Sequence, residues 1–497
     1  MKLIPFKNII KSDKKIYFFL FLIAFAVCLR SSYSPFSFRP MHVDSSVYIT
    51  IAQGIIRGML PYRNLVDNKG PLVYFFSVPG LFLGGFTGVW ITELLFIFIS
   101  VIFAWKTALF FGDKNKALLG TIFSFAALIP VNEVSAGTEE YSLPFLFISL
   151  YIFTRYYFSP EKKIKFLELT VLGICFSCAI MTRLNMFPLW AGFCLVIFFE
   201  SVLKRQYLQL LKYICAFLTG IIIVFIPIFL YLRTNGIVND FWNLVVVGGA
   251  AKGFGSSNLK DTVKIFYDLL NKNYSFLPLF FGIYFIMSYF RRDMFTYYIG
   301  FSVSYFLLIL FHSFSWGGSH YNTVLIPFFP PALTVLINKF EFKFLKENIR
   351  KTVLIFFLCI VFSEGFVMLL FNMGRNFYYK NNSGAMLFRA GKMLDENTDN
   401  GDSIISLGYD GYIYPFTKRN TASKYFYQGS GLDLIPGAQE EFISDILSTK
   451  PAIIVISALY GGEGFYMENW HKPVYDMMEK EYYLFSQDNG FIFYKKK

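Results

Sequence analysis

Charge is what this chain is short of. Only 16% of its 497 residues are Asp, Glu, Lys or Arg, against roughly 25% in soluble domains, which excludes an ordinary water-soluble chain of several domains. Cysteine is scarce too. Of six, Cys28, Cys175, Cys178, Cys194 and Cys359 lie inside apolar runs and Cys215 lies near the start of one. Cys175 and Cys178 share the segment ICFSCAIM without partner ligands, so these residues read as small buried hydrophobes rather than as disulfides or a zinc site. The sequence shows no internal repeat and no long low-complexity tract. Lys2, Lys7, Lys11, Lys14 and Lys15 precede an apolar run that lacks a small-residue cleavage site, the pattern of a retained first helix rather than a signal peptide. The net charge of +13 does not gather on a basic face alternating with aromatics, so nucleic acid is not an expected partner.

Apolar length is what the chain has. It is 55% hydrophobic, with 63 Phe and 33 Tyr, and long runs recur at Ile16–Leu29, Val89–Phe111, Leu210–Leu232, Phe295–Phe311 and Val353–Phe371. Each is near the length of about 20 residues that a helix needs to cross a bilayer core, so the chain reads as a polytopic membrane protein. Basic loops at 112–116, 159–165, 203–212, 291–293 and 339–351, with the lysine-rich N-terminus, set the orientation because Lys and Arg are retained on the cytoplasmic side. All five loops fall inside only if Leu72–Gly88 does not span. That segment holds Pro79, Gly80, Gly84, Gly85 and Gly88 after Pro71, a composition poor for a spanning helix and suited to an interfacial one.

About eleven spans follow, near 16–33, 89–111, 116–131, 141–158, 166–182, 184–203, 210–232, 275–290, 295–313, 321–338 and 352–371. The outer face then holds 34–88, 132–140, 234–274, 315–320 and everything after Phe371. Within 34–88, Val47, Ile51 and Ile55 share one face of an expected amphipathic helix from Ser46 to Gly58, lying on the membrane with Asp44 or Ser45 near its N-cap. In the tail, DSIISLGY, PAIIVIS and GFIFYKK read as strands and EEFISDILSTK as helix. The expected fold is an all-α membrane domain over 1–371, with outer juxtamembrane helices, and a small soluble α/β domain over 372–497.

The chemistry concentrates in His42–Pro71, HVDSSVYITIAQGIIRGMLPYRNLVDNKGP, which holds Asp44, Arg57, Arg63, Asp67 and Lys69 beside the first apolar run. Ionisable groups are expensive in hydrocarbon, so a cluster held between membrane segments is a site candidate. Asp44 has two readings that local sequence does not separate: a base for an incoming hydroxyl, or a helix N-cap. Lys69, followed by Gly70 and Pro71 in a tight turn, can hold a phosphate as a charge-assisted pair, as can Arg63. Solvated charges or lipid-headgroup contacts are the alternative, favoured for Arg57 more than for Lys69. Glu139 and Glu140 enter the fourth helix, where the macrodipole alone accounts for acids; one of them could also ligate a divalent cation or set the field around Asp44. Glu133 is a weaker member of the same loop. His320 and Tyr321 open the tenth helix, where the histidine is either structural or a phosphate or metal contact. Arg183 is either a further phosphate contact or a snorkelling cation. Glu93 and Glu364 fall inside apolar runs and must face protein or water.

These residues, in this order, resemble the GT-C membrane glycosyltransferases, in particular the bacterial branch related to protein O-mannosyltransferases and lipid A aminoarabinose transferases. The likeness rests on Asp44 soon after the first helix, on Gly58–Arg63 as G-x-x-P-Y-R, on D-N-K-G-P before an aromatic apolar helix, on Glu139/Glu140 and on His320/Tyr321. It covers roughly 1–370 in architecture, with the specific motifs mainly at 42–74 and 137–144. The resemblance implies transfer of a sugar from a polyprenyl-phosphate donor to a cell-envelope glycan, lipid or protein at the outer face of a bacterial plasma membrane. It implies Asp44 as the base and Lys69 as a donor-phosphate contact. Two departures bear on metal dependence: Ser45 stands where many relatives have a second acid, and Asn68 stands where some have an acid before the lysine. A divalent cation therefore stays an open expectation. Two rivals are a transporter or flippase for lipid-linked sugars, which would favour matching broken helices, and an envelope glycan polymerase or ligase using the 234–274 loop, whose GGAAKGFGSSN stretch looks flexible. A non-enzymatic scaffold is the third.

Overall fold

The computed structural model describes residues 14–36, 41–131, 134–249, 294–313, 319–339, 384–408, 411–428, 435–457, 471–488 and 490–497. The expected spans 275–290 and 352–371 lie outside the described residues, as do Glu133, Glu364, Cys359 and most of the GGAAKGFGSSN stretch.

The helices are α1 (Lys14–Cys28), α2 (Val43–Ile56), α3 (Leu72–Ala108), α4 (Lys114–Val131), α5 (Thr138–Phe158), α6 (Phe166–Ile180), α7 (Pro188–Leu203) and α8 (Tyr207–Thr234). A short α9 (Val238–Phe241) runs into a π-helical turn at Trp242–Val247, and α10 (Phe295–Ser313) and α11 (Phe329–Lys339) complete the helical body. Neighbouring packing joins α1 to α3, α3 to α5, α6 to α8, α7 to α10 and α4 to α11. Three described helices meet the length and apolarity needed to cross a bilayer: Leu72–Ala108, Tyr207–Thr234 and His320–Asn338. On α8, Leu211, Leu218, Ile222, Ile226 and Phe229 are all exposed. Such a continuous apolar surface is tolerable in lipid and not in water, so this is a membrane protein.

Two expected helices take a different form. α3 is two helices meeting at Gly84 and Gly85, whose backbones are non-helical and, at Gly85, left-handed (φ 57°). A Cβ on Gly88 would sit 2.0 Å from the Gly80 carbonyl oxygen, so the chain folds back on itself there and only glycine permits the approach. The arm from Leu72 ends in exposed Phe82 and Leu83. The expected tenth span begins as a 3-10 helix, Ser319–Phe328, before α11. Pro327 lies inside it, with Pro330 and Pro331 just beyond. At ~2.0 Å per 3-10 residue and ~1.5 Å per α residue, the combined element reaches about 35 Å, enough to cross the hydrocarbon core.

α2 is not a surface helix. Residues 45–52 are all buried, between α3 and the 3-10 turn Tyr414–Phe416 of the tail. Its hydroxyls are satisfied, one by a distant segment and one within the helix: Ser45 Oγ donates to the Ser135 carbonyl (2.7 Å) and Thr50 Oγ1 to the Ser46 carbonyl (2.7 Å). Its N-cap is His42, whose imidazole accepts the Asp44 amide at 3.2 Å. The expected cap at Asp44 or Ser45 is thus corrected by two or three residues, and the Asp44 carboxylate is released from capping.

The tail forms α12 (Gly384–Glu396), α13 (Ala438–Thr449) and α14 (Lys472–Glu481) around strands β1 (Ser403–Leu407), β2 (Asn420–Thr421), β3 (Ile453–Ser457), β4 (Tyr482–Asp488) and β5 (Phe491–Lys496). The sheet order is β2-β1-β3-β5-β4, with β2, β1 and β3 parallel and β5 antiparallel to both neighbours. The three expected strands are β1, β3 and β5. Alternation sorts their side chains between faces. Ile405, Leu407, Ile454 and Ile456 pack with Phe442 of α13 and Val474 of α14. Ile404, Ile453, Val455 and Phe493 join the large core that includes α12 and the membrane helices.

Candidate active site

Five separate elements bring their ends together. A buried glutamate fixes part of this frame: Glu93 of α3 accepts Ser31 Oγ (2.5 Å) and the Ala136 amide (2.6 Å). That answers how a carboxylate sits inside an apolar run, since it ties the segment after α1 and the turn before α5 to α3. Glu140, also buried, lies near enough to Glu93 to act on it electrostatically.

The loop from Asp67 to Pro71 docks alongside Met181–Arg183 by backbone pairing. The Gly70 amide donates to the Thr182 carbonyl (3.1 Å) and the Leu72 amide to the Met181 carbonyl (3.0 Å). A Cβ at Gly70 would lie 2.1 Å from the Met181 oxygen. Glycine is required there for close approach rather than for turn flexibility. The Thr182 hydroxyl is within 2.7 Å of Ser142 Oγ on α5, so α5, α6 and the loop are stitched at one point.

Asp67 is a structural anchor of this loop. Its carboxylate accepts Tyr74 OH (2.7 Å), the Asn68 amide (2.8 Å) and Tyr427 OH from the tail (3.1 Å). The Val66 amide also donates to the Lys424 carbonyl (3.0 Å). Lys69, half-buried, donates to Asn68 Oδ1 at 2.7 Å and has no carboxylate within salt-bridge distance among the described residues. An ammonium has three N–H donors, so two directions remain for an anion.

Asp44 faces this cation from the first turn of α2. Burial pushes its carboxyl up, but Lys69, His42, His320 and Arg183 outweigh burial and hold it below the ordinary carboxylate range. Among the described residues its carboxylate accepts no hydrogen bond, whereas Asp67 is fully engaged. The two acids are therefore chemically distinct: Asp44 is an ionised, uncommitted acceptor and Asp67 a tether. The His42 and His320 rings lie 5.7 Å apart, and His320 abuts Tyr321 at 4.3 Å. Arg183 forms an ion pair with Glu139 and stacks 4.2 Å over the Tyr321 ring. Glu139 in turn accepts Thr138 Oγ1 at 2.8 Å.

Arg63 is placed elsewhere. Its guanidinium binds Asp240 (2.8 and 3.0 Å) and the carbonyls of Asn235 and Gly236. Sequence reading also overlooked His42, Tyr48, Tyr74 and Tyr427. Tyr48 is buried where Asp44, Asp67, Glu139 and Arg183 all act on it. Burial, Asp67 and Asp44 raise the Tyr427 phenol, keeping it a neutral donor. His42 and Tyr48 were legible as polar residues flanking Asp44; nothing local marks Tyr427. Among the described residues, no three His, Cys, Asp or Glu side chains group as metal ligands. Glu139 is committed to Arg183.

The fold is similar to those of two solved proteins, ArnT and an archaeal oligosaccharyltransferase. The lipid A aminoarabinose transferase ArnT from Cupriavidus metallidurans, solved bound to undecaprenyl phosphate, superposes with a TM-score of 0.62 at 11% identity, covering 97% of this chain and 98% of ArnT. Its apo form gives 0.61 at 14% identity, with the same coverage of both chains. An oligosaccharyltransferase from Archaeoglobus fulgidus, tethered to an acceptor peptide with the NVT sequon, gives 0.52 at 12% identity, covering 98% of this chain and 74% of that one. No family model matches the sequence, and no curated protein matches it.

Proposed function

We propose that this protein is a membrane glycosyltransferase that moves a monosaccharide from a polyprenyl-phosphate donor to a hydroxyl of a cell-envelope glycan, lipid or protein. The observation that carries the reading is the uncommitted Asp44 carboxylate facing Lys69, with Arg183 in the same cluster, on a fold shared with an enzyme solved with undecaprenyl phosphate. The acceptor oxygen attacks C1 of the sugar while the C1–O bond to phosphate breaks. The electron pair leaves with the phosphate and the hydroxyl proton passes to Asp44. Attack opposite the leaving group inverts C1, the geometry inverting glycosidases also use. The leaving group is already a stable anion, so it needs cations rather than a proton. Lys69 and Arg183 supply that stabilisation, while Arg63 tethers the loop to Asp240. His320 and Tyr321 hold the Asp44 and Arg183 surroundings. We assign the site and the tail, 372–497, to the extracytoplasmic side, with the N-terminus cytoplasmic, from the distribution of basic loops.

Purified protein given radiolabelled polyprenyl-phosphate sugar tests this. Asp44→Asn should lower transfer about 10²–10⁴-fold, the usual contribution of a positioned base. Parental transfer by a normally folded D44N protein would overturn the assignment of the base, and an intact donor with the parent protein would favour a carrier or scaffold.

A further inference from the structure

A second concave site lies at the far end of α6 and α8. It has a volume of about 710 Å³ and is lined by residues before and within α6, from Lys163 to Leu169 but not Glu168, and before and within α8, from Arg205 to Cys215. That volume is in the range of small-ligand sites. α6 runs from this groove to Thr182 and Arg183, so its 15 residues set the groove about 22 Å from the Asp44 cluster. The helices cross tightly here because Gly173 meets the Phe217 carbonyl and Gly220 the Thr170 carbonyl, so their flanking segments diverge around the opening.

Lys163, Arg205 and Lys212 are its charged lining, and no acid joins them. None of the three has an ion-pair partner among the described residues. Of the neighbouring acids, Glu168 pairs with Arg155 and Glu200 with Lys204, and Glu161, two residues before Lys163, is not part of the lining. Around these cations the wall is apolar: Phe166 is 61% exposed and Leu208 70% exposed.

We infer that this groove binds an anionic phospholipid, its phosphate against Lys163, Arg205 and Lys212 and its acyl chains along Phe166 and Leu208. The charge complementarity names the headgroup, and the apolar wall at a membrane-helix end names a lipid rather than a soluble phosphate. Basic residues near anionic headgroups each strengthen binding several-fold.

Full-length protein in neutral detergent, titrated with phosphatidylglycerol or phosphatidylcholine and read by native mass spectrometry, tests this. The parent should retain phosphatidylglycerol at least about tenfold more tightly. The triple variant K163Q/R205Q/K212Q should lose that preference. K114Q/K472Q/K480Q removes the same charge from exposed positions elsewhere and should keep it. Should the triple variant misfold, the single variants K163Q, R205Q and K212Q should each weaken the preference several-fold. Equal retention of both lipids by the parent, or a preference that survives in a folded triple variant, would overturn the proposal.

Discussion

Gly70→Ala is the sharpest perturbation of the site that leaves every polar side chain in place. The added methyl would start 2.1 Å from the Met181 oxygen, where ordinary contact begins at 3.4 Å. The contact is backbone against backbone, so no side chain can swing aside, and the 67–72 loop must move more than about 1 Å from α6. The Gly70–Thr182 and Leu72–Met181 hydrogen bonds stretch with it. Each contributes about 0.5–1.5 kcal/mol net, and overpacking adds about 1–3 kcal/mol. The expected destabilisation is therefore about 2–6 kcal/mol. Lys69 moves with the loop, and misplacement by about 1 Å can cost on the order of 10² in rate. Thermal unfolding in detergent and transfer from radiolabelled donor read the two effects. Gly401→Ala is the control, since a Cβ there meets nothing within 4 Å. A G70A protein with parental stability and parental transfer would refute the reasoning from close approach.

The pH dependence follows from Asp44, which works as a carboxylate and whose value is depressed in the folded protein. Activity should persist through mildly acidic pH and fall only as pH drops through a midpoint below the ordinary ~3.9. Lys69→Met removes the largest cationic influence on Asp44 and should move that acidic limb of kcat/KM upward; an unmoved limb would separate the two residues. Arg183→Gln leaves Glu139 buried without its cation and should cost about 3–5 kcal/mol. Adding Glu139→Gln should recover most of that stability without recovering transfer, as unfolding midpoints and rates will report. Arg63→Ala breaks a pair whose side chains are 45% and 35% exposed, so stability should change by less than about 1 kcal/mol with donor KM unchanged. A tenfold rise in KM would instead put Arg63 on the phosphate.

The sequence made the helical body legible because apolar runs, basic loops and glycine clusters are local signals. The break at Gly84–Gly85 is a case: glycines too dense for a straight span marked where the chain turns. The three long strands were legible for the same reason, by alternation. β2 has only two residues and β4 is a mixed, partly polar strand beginning directly at the end of α14, so neither has a readable period. Asp44 and Lys69 stood out as charges beside a span. The partner of Asp67 did not, because Tyr427 is 360 positions away and is one aromatic among many. The amphipathic reading of α2 failed for a related reason: Val47, Ile51 and Ile55 mark one buried face, but distant tail residues cover the other.

Those long-range contacts carry a consequence for how the protein is made. Gln53 donates to the Pro415 carbonyl, Arg57 to the Lys418 carbonyl, and Tyr427 to Asp67, each pair separated by about 360 positions. At ribosomal rates of about 5–20 residues per second, the first members of these pairs wait roughly 20–70 seconds for the second. Throughout that interval α2 is present without its cover and the lysine loop without one of its anchors. Asp44 and Lys69 are thus made long before the tail residues that cover α2 and anchor the lysine loop, and a chain truncated before Tyr427 is expected to lack transfer.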